Sequence, residues 1–368
     1  MDARAQPPGG GPDIVERETH GPPDPSSMGA EYARAGEPPQ LARAAYTAAM
    51  RWLLLVLAAV LLVGCSLISI DLTPRIRPLE EETVEGKGDA KILLMDVSGF
   101  ISDETPGGGL TIGSPPPHVP MLVRVREELE KAAGDDKVKA VVVRINSPGG
   151  TVTASDIIFR ELQSYKRTRG VPIIASMMDV AASGGYYIAL AADTIVAHPT
   201  TVTGSIGVIM ITLNAEGLMQ KIGLSANAIK SGERKDMGSP FRPLTPEERA
   251  IFQSVIDDLQ RQFVAHLIER RKLTPAAAAT LADGRIYTAD QALAHRLIDQ
   301  IGYMPDVLEV ARRAAGLTEA RVIVYKRPRE YRATYYARAE SDAGAFAAVS
   351  QLTGLAASGP KFLYVWWP

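Results

Sequence analysis

The sequence predicts an α/β fold, because short runs of branched apolar residues alternate with segments of helical periodicity. Ile92 to Val97 and Ala140 to Ile145 are runs of the kind that form buried strands. Met121 to Ala133 and Ala154 to Tyr165 carry apolar residues at helical spacing, and Gly134 ends the first of them. No internal repeat is visible, so we expect a single folded domain.

The alternation continues along the chain with further strands and helices. We expect strands at Val171 to Met177, Thr194 to Ala197 and Ile206 to Ile211, a short helix at Gly184 to Ala192 and a long amphipathic helix at Thr245 to Arg271. Thr245-Pro246-Glu247-Glu248 suits the capped start of that long helix, since threonine caps, proline tolerates the first turn and glutamate completes a capping box.

Composition places the chain among ordinary globular proteins and excludes several classes. Of 368 residues, 46% are hydrophobic and 22% charged, and the formal net charge is −2. A nucleic-acid partner is not expected, because such proteins concentrate basic charge. The single cysteine, Cys65, excludes an internal disulfide and a multi-cysteine metal site. No metal or organic cofactor is expected.

The N-terminal region predicts export and membrane attachment. Residues 1–49 are rich in Pro, Gly and Ala, so they are expected to be a disordered leader, either a real tail or the result of a misplaced start. Residues 50–65 form a signal peptide, with an apolar run from Trp52 to Val63. Leu62-Val63-Gly64-Cys65 resembles a bacterial lipobox, whose cysteine is lipidated. The alternative is an uncleaved anchor from Trp52 to Leu72. Both place the rest of the chain on the extracytoplasmic side of a bacterial cell-envelope membrane.

The remaining boundaries follow from composition. We expect a linker at residues 66–90, the main domain at 91–326 and a C-terminal extension at 327–368. The extension ends in Phe362-Leu363-Tyr364-Val365-Trp366-Trp367, which could dock on the domain, form an oligomer contact or touch the membrane interface.

Ser183 is a candidate nucleophile. It follows a predicted strand, opens a predicted helix and precedes Gly184 and Gly185, which leave room for a peptide. At a helix start the N–H of Gly184 could stabilise an oxyanion, although the same motif also serves as a plain helix cap. A second pair, Gly149-Gly150, follows the strand that ends at Ile145, where Gly150 could supply another N–H or simply form a turn.

Lys235 is a candidate base for Ser183. To act as a base, its pKa must lie well below the solvent value of about 10.4. Glu233 and Asp236 would raise that pKa and Arg234 would lower it, and lysines in charged runs are commonly solvated. Ser205 could orient the amine by a hydrogen bond. Histidine is the rival base, with candidates His118, His198, His266 and His295 besides His20 in the leader.

Residues 91–315 resemble signal peptide peptidase A in its short single-copy form, the S49 group of serine peptidases. The resemblance implies Ser183 as nucleophile, Lys235 as general base and Ser205 as the group that positions the lysine. It also implies that Gly150 and Gly184 form the oxyanion hole. Arg296 departs from the family pattern, where glycine is expected. The matching strings are residues 142–150, 181–189, 203–209 and 230–232, with Lys235-Asp236, Ser239-Pro240 and Asp283-Gly284-Arg285.

The same resemblance implies a fold and partners. The fold would be the ClpP/crotonase-like spiral of repeated ββα units. Relatives complete the active site between neighbouring protomers of a homo-oligomeric ring, and their substrates are apolar peptides such as cleaved signal peptides. Two other functions stay open: a catalytically silent scaffold with the same fold, and a crotonase-type acyl-CoA enzyme. The export signal argues against the latter.

Substitution of Cys65 distinguishes the two modes of attachment. If residues 62–65 are a lipobox, the mature protein starts at an acylated Cys65, and Cys65→Ala leaves an unprocessed precursor. In an uncleaved anchor the same change has no effect, because one thiol adds little to an apolar span of about 20 residues. Mass spectrometry of the membrane-extracted protein measures this. An unmodified Cys65 with residues 50–64 still attached contradicts the lipoprotein hypothesis.

Overall fold

The computed structural model describes residues 50–55, 77–103, 119–328, 330–337 and 361–366. The chain divides into residues 1–73, of which the described residues 50–55 are helical, and residues 74–368, which hold all elements named below. The predicted leader, Cys65 and the apolar run from residue 56 onward lie outside the described residues. Among the described helices, none is long and apolar enough to cross a bilayer.

Strands and helices alternate as the sequence predicts. The strands are β1 (Glu80–Gly86), β2 (Lys91–Ser98), β3 (Val138–Ser147), β4 (Gly149–Thr151), β5 (Ile173–Ala182), β6 (Thr194–Ala197), β7 (Val202–Gly204), β8 (Ile209–Met210), β9 (Ile286–Thr288), β10 (Gln300–Ile301), β11 (Arg321–Lys326) and β12 (Phe362–Val365). The helices are α1 (Met121–Ala133), α2 (Val152–Arg169), α3 (Gly184–Ala189), α4 (Glu216–Lys221), α5 (Pro246–Arg271), α6 (Pro275–Leu281), α7 (Ala289–Ala294) and α8 (Met304–Ala314).

Two sheets organise these elements. The large sheet has the order β1-β11-β2-β3-β5-β6-β10, with β7 beside the end of β5 and β9 beside β7. Its pairs are parallel except those that β1 and β9 make. The small sheet is antiparallel in the order β4-β12-β8, and Ile101 adds a parallel bridge to Gly150.

A strand–strand–helix unit repeats along the chain. In the clearest copy, β3 lies in the large sheet, β4 in the small sheet, and α2 follows. In the preceding copy β2 leads to the bridge at Ile101 and then to α1. In the following copy the last residues of β5 pair with β7 before α3 begins. The structure therefore confirms the predicted α/β fold of repeated ββα units.

The central strands are buried on both faces, as their branched apolar sequences predict. On β2, Leu93 and Met95 pack in the core cluster that includes α1 and α2, whereas Ile92 and Leu94 pack in the cluster that includes α8. Each fully buried aliphatic side chain contributes about 1.5–3 kcal/mol through removal from water. Both faces of the sheet are therefore needed to stabilise the strands that lead to the site.

The observed elements differ from the sequence-based expectation in two places. The strand predicted for Ile206 to Ile211 is wrong in extent, since β8 holds only Ile209 and Met210, and β7 precedes it. The cause is Ser205, whose φ of 48° and N–H bond to the Arg285 carbonyl turn the chain between them. Folded structure also extends beyond residues 91–326, because β1 lies within 66–90 and β12 within 327–368.

Arg296 occupies a backbone conformation that favours glycine. Its φ is 60°, and Leu297 N–H closes the turn by donating to the Ala292 carbonyl at 2.8 Å. A residue with a Cβ costs roughly 1–2 kcal/mol in this left-handed region. The absence of glycine at this position therefore strains a local turn.

A buried ion pair joins β2 to β3. Arg144 donates to Asp96 Oδ1 through Nε at 3.0 Å and Nη2 at 2.7 Å, and both side chains are nearly inaccessible to solvent. Burial tends to raise the pKa of Asp96, but attraction to Arg144 and Arg124 outweighs burial and lowers it. Arg144 also donates to the carbonyls of Tyr335 and Ala337. The pair thus ties the C-terminal segment to the sheet.

Removing this carboxylate is expected to destabilise the fold strongly. Asp96→Asn should lower the free energy of unfolding by about 3–5 kcal/mol, because Arg144 keeps a buried, uncompensated charge. The matched control is Glu130→Gln, which breaks the exposed pair with Arg126 and should cost less than about 1 kcal/mol. Urea denaturation measures both changes. Because the pKa of Asp96 is lowered on folding, its contribution is present at neutral pH and lost only as the pH falls through the folded-state pKa. Equal losses for the two variants would contradict this role.

Candidate active site

Ser183 stands at a strained junction between β5 and α3. Its φ is 51°, and its N–H donates to the Gly204 carbonyl at 2.7 Å. The residue is 1% exposed, and its Oγ has no hydrogen-bond partner among the described residues. A non-glycine residue at positive φ costs free energy, and such residues concentrate at functional sites. This is the predicted nucleophile, held on a sharp strand-to-helix turn with its hydroxyl uncommitted.

Ser205 lies beside Ser183. The strands β5 and β7 are parallel neighbours with Ala182 opposite Gly204, so the two serines leave corresponding strand ends. Ser205 also has a positive φ, 48°, and is 7% exposed. The structure therefore brings together two residues that lie far apart in the sequence.

The two glycine pairs contact each other. A Cβ added to Gly149 would lie 2.8 Å from the Gly184 nitrogen, and one added to Gly185 would lie 2.9 Å from the Ser147 carbonyl oxygen. A Cβ on Gly184 would overlap the Ser155 hydroxyl. These approaches are closer than real Cβ contacts, so they require glycine. As a result, the backbone segments that carry Gly150 and Gly184 meet next to Ser183.

Lys235 forms no hydrogen bond to Ser183. It lies in an exposed turn between α4 and α5, where its N–H donates to the Gly232 carbonyl at 3.1 Å. Ser183 Oγ, in contrast, is buried and has no hydrogen-bond partner in the described part of the chain. The structure thus brings Ser183, Ser205, Gly150 and Gly184 together, whereas Lys235 is exposed and not bonded to Ser183.

The turn that carries Lys235 is held by an ion network. Asp236 pairs with Lys230 at 2.6 Å and with Arg242 at 2.8 Å, and Arg242 also binds Glu248 in the capping box of α5. Hydrogen bonds from Arg242 and Lys230 hold the pKa of Asp236 well below its usual value. The Asp236 carboxylate therefore binds cations other than Lys235, although the sequence placed it beside that lysine.

The histidines within the described residues engage other groups. His198 Nδ1 lies 2.8 Å from Thr200 Oγ1, His295 packs on Tyr287, and His266 packs on Phe159. Burial lowers the pKa of His266. None of these three forms a hydrogen bond to Ser183 Oγ. His20 and His118 lie outside the described residues.

An aromatic pocket next to the site was not anticipated. Tyr364 of β12 stacks on Tyr187 of α3 with ring centroids 5.2 Å apart, and packs on Phe263 of α5 at 4.9 Å. Its hydroxyl donates to the Leu259 carbonyl at 2.9 Å, and burial raises its pKa. The aromatic C-terminal end was the one signal in the sequence, and the structure shows that this end docks on the domain. Among the described residues, no cluster of His, Cys, Asp and Glu could hold a metal ion.

Comparison with known proteins identifies the family. The model of peptidase family S49 matches residues 165–318, which include Ser183, Ser205 and Lys235. A protein of Enterococcus faecium, provisionally named signal peptide peptidase SppA, is 38% identical over 247 residues, which are 67% of this chain and 70% of that protein. This chain belongs to peptidase family S49.

Other relatives are longer. Protease 4 of Salmonella typhi is 34% identical over 64% of this chain and 36% of its own length. The chloroplastic serine protease SPPA of Arabidopsis thaliana is 36% identical over 52% of this chain and 28% of its own length. Among solved structures, a ClpP1 mutant from Listeria monocytogenes matches with a TM-score of 0.38 and 16% identity, over 58% of this chain and 94% of that one.

Adding a methyl group at Gly149 tests the close approach of the glycine pairs. Gly149 has a φ of 108°, and a Cβ there would overlap the Tyr364 carbonyl oxygen. Gly149→Ala should therefore lower the free energy of unfolding by about 2–4 kcal/mol, from strain and overpacking together. Gly170 is the matched control, since its φ is also positive, 62°, but nothing lies within 4 Å of an added Cβ. Gly170→Ala should cost only about 1 kcal/mol. Indistinguishable urea midpoints would contradict the packing argument.

Proposed function

We propose that this chain is a serine endopeptidase in which Ser183 is the nucleophile and Lys235 of a neighbouring protomer is the general base. The observation that carries the proposal is the uncommitted Ser183 hydroxyl on a strained turn between two glycine segments. Serine is a weak nucleophile and needs an adjacent base. No histidine among the described residues supplies one, and Lys235 is the base that the family resemblance implies.

The chemistry follows from this arrangement. The Lys235 amine takes the Ser183 proton as Oγ bonds to the peptide carbonyl carbon, and the resulting oxyanion accepts hydrogen bonds from the N–H groups of Gly150 and Gly184. The C–N bond then breaks, and the lysine ammonium returns the proton to the leaving amine. The same lysine then takes a proton from water as its oxygen bonds to the ester carbonyl carbon, and returns that proton to Ser183 Oγ as the ester C–O bond breaks and the acid is released. Ser205, beside Ser183, would orient the amine by a hydrogen bond.

Completion between protomers would account for the missing hydrogen bond between Lys235 and Ser183. The segment that precedes Lys235 exposes a series of apolar side chains that find no cover in one copy, namely Ile211, Leu213, Leu218, Ile222, Leu224 and Ile229. Large exposed apolar patches typically mark protein interfaces, and a segment this rich in exposed apolar side chains is a candidate for one. Packing of this segment on a neighbouring copy in a closed ring would bury it and bring Lys235 to the neighbour's Ser183.

The substrates we propose are apolar peptides, including residual signal peptides. The names of the Enterococcus faecium relative and of the family resemblance support this class. Attachment by residues 50–65, through lipidated Cys65 or an anchor, would hold the catalytic domain beside the extracytoplasmic face of a bacterial membrane, where such peptides accumulate. No cofactor is part of the proposal.

Mixing two inactive variants tests the shared site. Ser183→Ala and Lys235→Ala should each abolish peptidase activity while remaining folded, because nucleophile and base act as one unit. The two variants are then unfolded and refolded together at equal concentration. If the pair forms between protomers, about a quarter of the interfaces should carry both an intact Ser183 and an intact Lys235, and activity should return in that proportion. Cleavage of a fluorogenic apolar peptide measures it. Restoration near zero, with oligomers formed, places the pair within one protomer; near-normal activity of Lys235→Ala alone refutes the lysine base.

The pH profile distinguishes lysine from histidine. A lysine acts as a base only in its neutral form, so with Lys235 as the base kcat/KM should keep rising with pH above neutrality and stay high in the alkaline range. A single inflection near about 6.5, the ordinary histidine value, would instead indicate a histidine base. A serine-reactive probe that labels the wild type but not Ser183→Ala excludes the alternative of a silent scaffold.

A further inference from the structure

Strand β5 carries extra residues shortly before the proposed nucleophile. Ile145 of β3 lies opposite Met177 of β5. Two positions later on β3, Ser147 lies opposite Ala181, which is four positions after Met177 on β5. Residues 178–180 thus form a bulge that faces a single residue of β3. Before the bulge β5 pairs with β6, and from the last residue of the bulge onward it pairs with β7. Bulges re-aim strand ends, and they are frequent beside active sites.

The bulge sets the position of Ser183 along the sheet. The turn that follows it brings Gly184 into close contact with Gly149 at the start of β4. Without the two extra residues, a strand that rises about 3.3 Å per residue would carry Ser183 about 7 Å further past the end of β3. That distance exceeds the reach of a hydrogen bond. The turn that carries Ser183 would then no longer contact the glycine pair of β4.

Two side chains supply hydrogen bonds where the bulge interrupts the pairing of β5 with β3. Asn146 Oδ1 accepts from the Val180 N–H at 3.1 Å. The hydroxyl of Thr201, a residue that is 1% exposed, donates to the Met178 carbonyl and lies 3.1 Å from the Met177 carbonyl. Buried backbone groups need such partners. Each of these bonds therefore favours the bulged conformation over a continuous strand.

The two side chains approach the bulge from opposite sides. Asn146 belongs to β3, which flanks β5 on one side, and Thr201 belongs to the loop from β6 to β7 on the other side. Neither forms a hydrogen bond to Ser183, whose hydroxyl has no partner among the described residues. Any effect on the nucleophile is therefore transmitted through the backbone of β5.

We propose that Asn146 and Thr201 are positioning residues, which place Ser183 by holding the bulge in β5. The inference rests on the function proposed above and adds a determinant of the catalytic rate to it. A displacement of about 1 Å at a reacting group is enough to lower a rate about a hundredfold. The Thr201 hydroxyl and the Asn146 acceptor oxygen are therefore required for kcat.

Kinetics with paired variants test the two side chains. Thr201→Val keeps the shape but removes the donor, so kcat for a fluorogenic apolar peptide should fall about a hundredfold while KM changes less than about twofold. Thr201→Ser keeps the hydroxyl and should retain kcat within about threefold of the wild type. In the same way, Asn146→Leu should lower kcat, whereas Asn146→Asp, which keeps the acceptor oxygen, should largely retain it. Asn146 is only partly buried, so its variants supply the test if Thr201→Val does not fold.

Tyr186→Phe is the matched control for loss of a buried hydroxyl. The Tyr186 hydroxyl donates to the Leu297 carbonyl at 2.8 Å, away from the bulge, although Tyr186 lies only three positions after Ser183. This variant should lower the urea midpoint to an extent similar to Thr201→Val and leave kcat unchanged. A serine-reactive probe adds a second readout. Thr201→Val should be labelled about a hundredfold more slowly but to the same final extent as the wild type, since its protomers are folded and only Ser183 is misplaced.

Amide hydrogen exchange tests the bulge without relying on catalysis. Exchange at the N–H groups of Val180 and Ser183 should be faster in Thr201→Val and Asn146→Leu than in the wild type, and unchanged in Thr201→Ser and Tyr186→Phe. Unchanged kcat and exchange in both Thr201→Val and Asn146→Leu overturn the proposal. An equal loss of kcat in Tyr186→Phe, or a reduced final extent of labelling at a normal rate, overturns it as well, because the effect would then be general destabilisation. A wild-type chain that neither cleaves peptides nor is labelled refutes the proposed peptidase function, and the exchange rates then still decide whether the two side chains hold the bulge.

Discussion

The site depends on the close approach of two glycine-bearing turns. Gly149 and Gly150 begin β4, while Gly184 and Gly185 begin α3, and the distances between these backbones leave no room for a Cβ. Any side chain there would push α3 away from β4. This contact brings backbone N–H groups from two separate ββα units to one point beside Ser183. The strained φ of Ser183 is tolerated because the same contact and the bond to Gly204 hold it on both sides.

The parallel sheet makes that approach possible. Strands β3, β5 and β7 are aligned by ladders of buried residues, so their carboxyl ends lie at one edge. Ligand sites of open α/β sheets lie at such edges. The buried pair of Asp96 and Arg144 lies near the same ends of β2 and β3, and it holds the carbonyls of Tyr335 and Ala337. The last described part of the C-terminal region before β12 is therefore anchored close to the strands that form the site.

Two features of one copy bear on the proposed shared site. The apolar side chains between β8 and Lys235 are exposed, and Ser183 Oγ has no hydrogen-bond partner among the described residues. In the proposed function, a neighbouring copy would cover those side chains and supply Lys235 to Ser183.

The sequence alone predicted much of the fold and supplied the residues of the candidate site. Buried strands such as Ala140 to Ile145, and the capped helix at Thr245, follow from local periodicity and capping chemistry that act over a few residues. The strings around Ser183, Gly150 and Lys235 carried the family resemblance, and the family comparison confirms it. The sequence did not give the bounds of the very short strands β7, β8 and β12, because these strands are defined by their pairing partners rather than by their own composition.

Only the tertiary structure decided which residues meet. Asp236, next to Lys235 in sequence, turns to Arg242 and Lys230, whereas Ser205 comes to lie beside Ser183 through the pairing of β5 and β7. The aromatic end could have docked, joined another copy or touched a membrane; in the structure, Tyr364 stacks on Tyr187 beside the site. The physical reason is common to these cases. Strand pairing, side-chain packing and ion pairing between distant segments depend on distances in space, and spacing along the chain does not encode those distances.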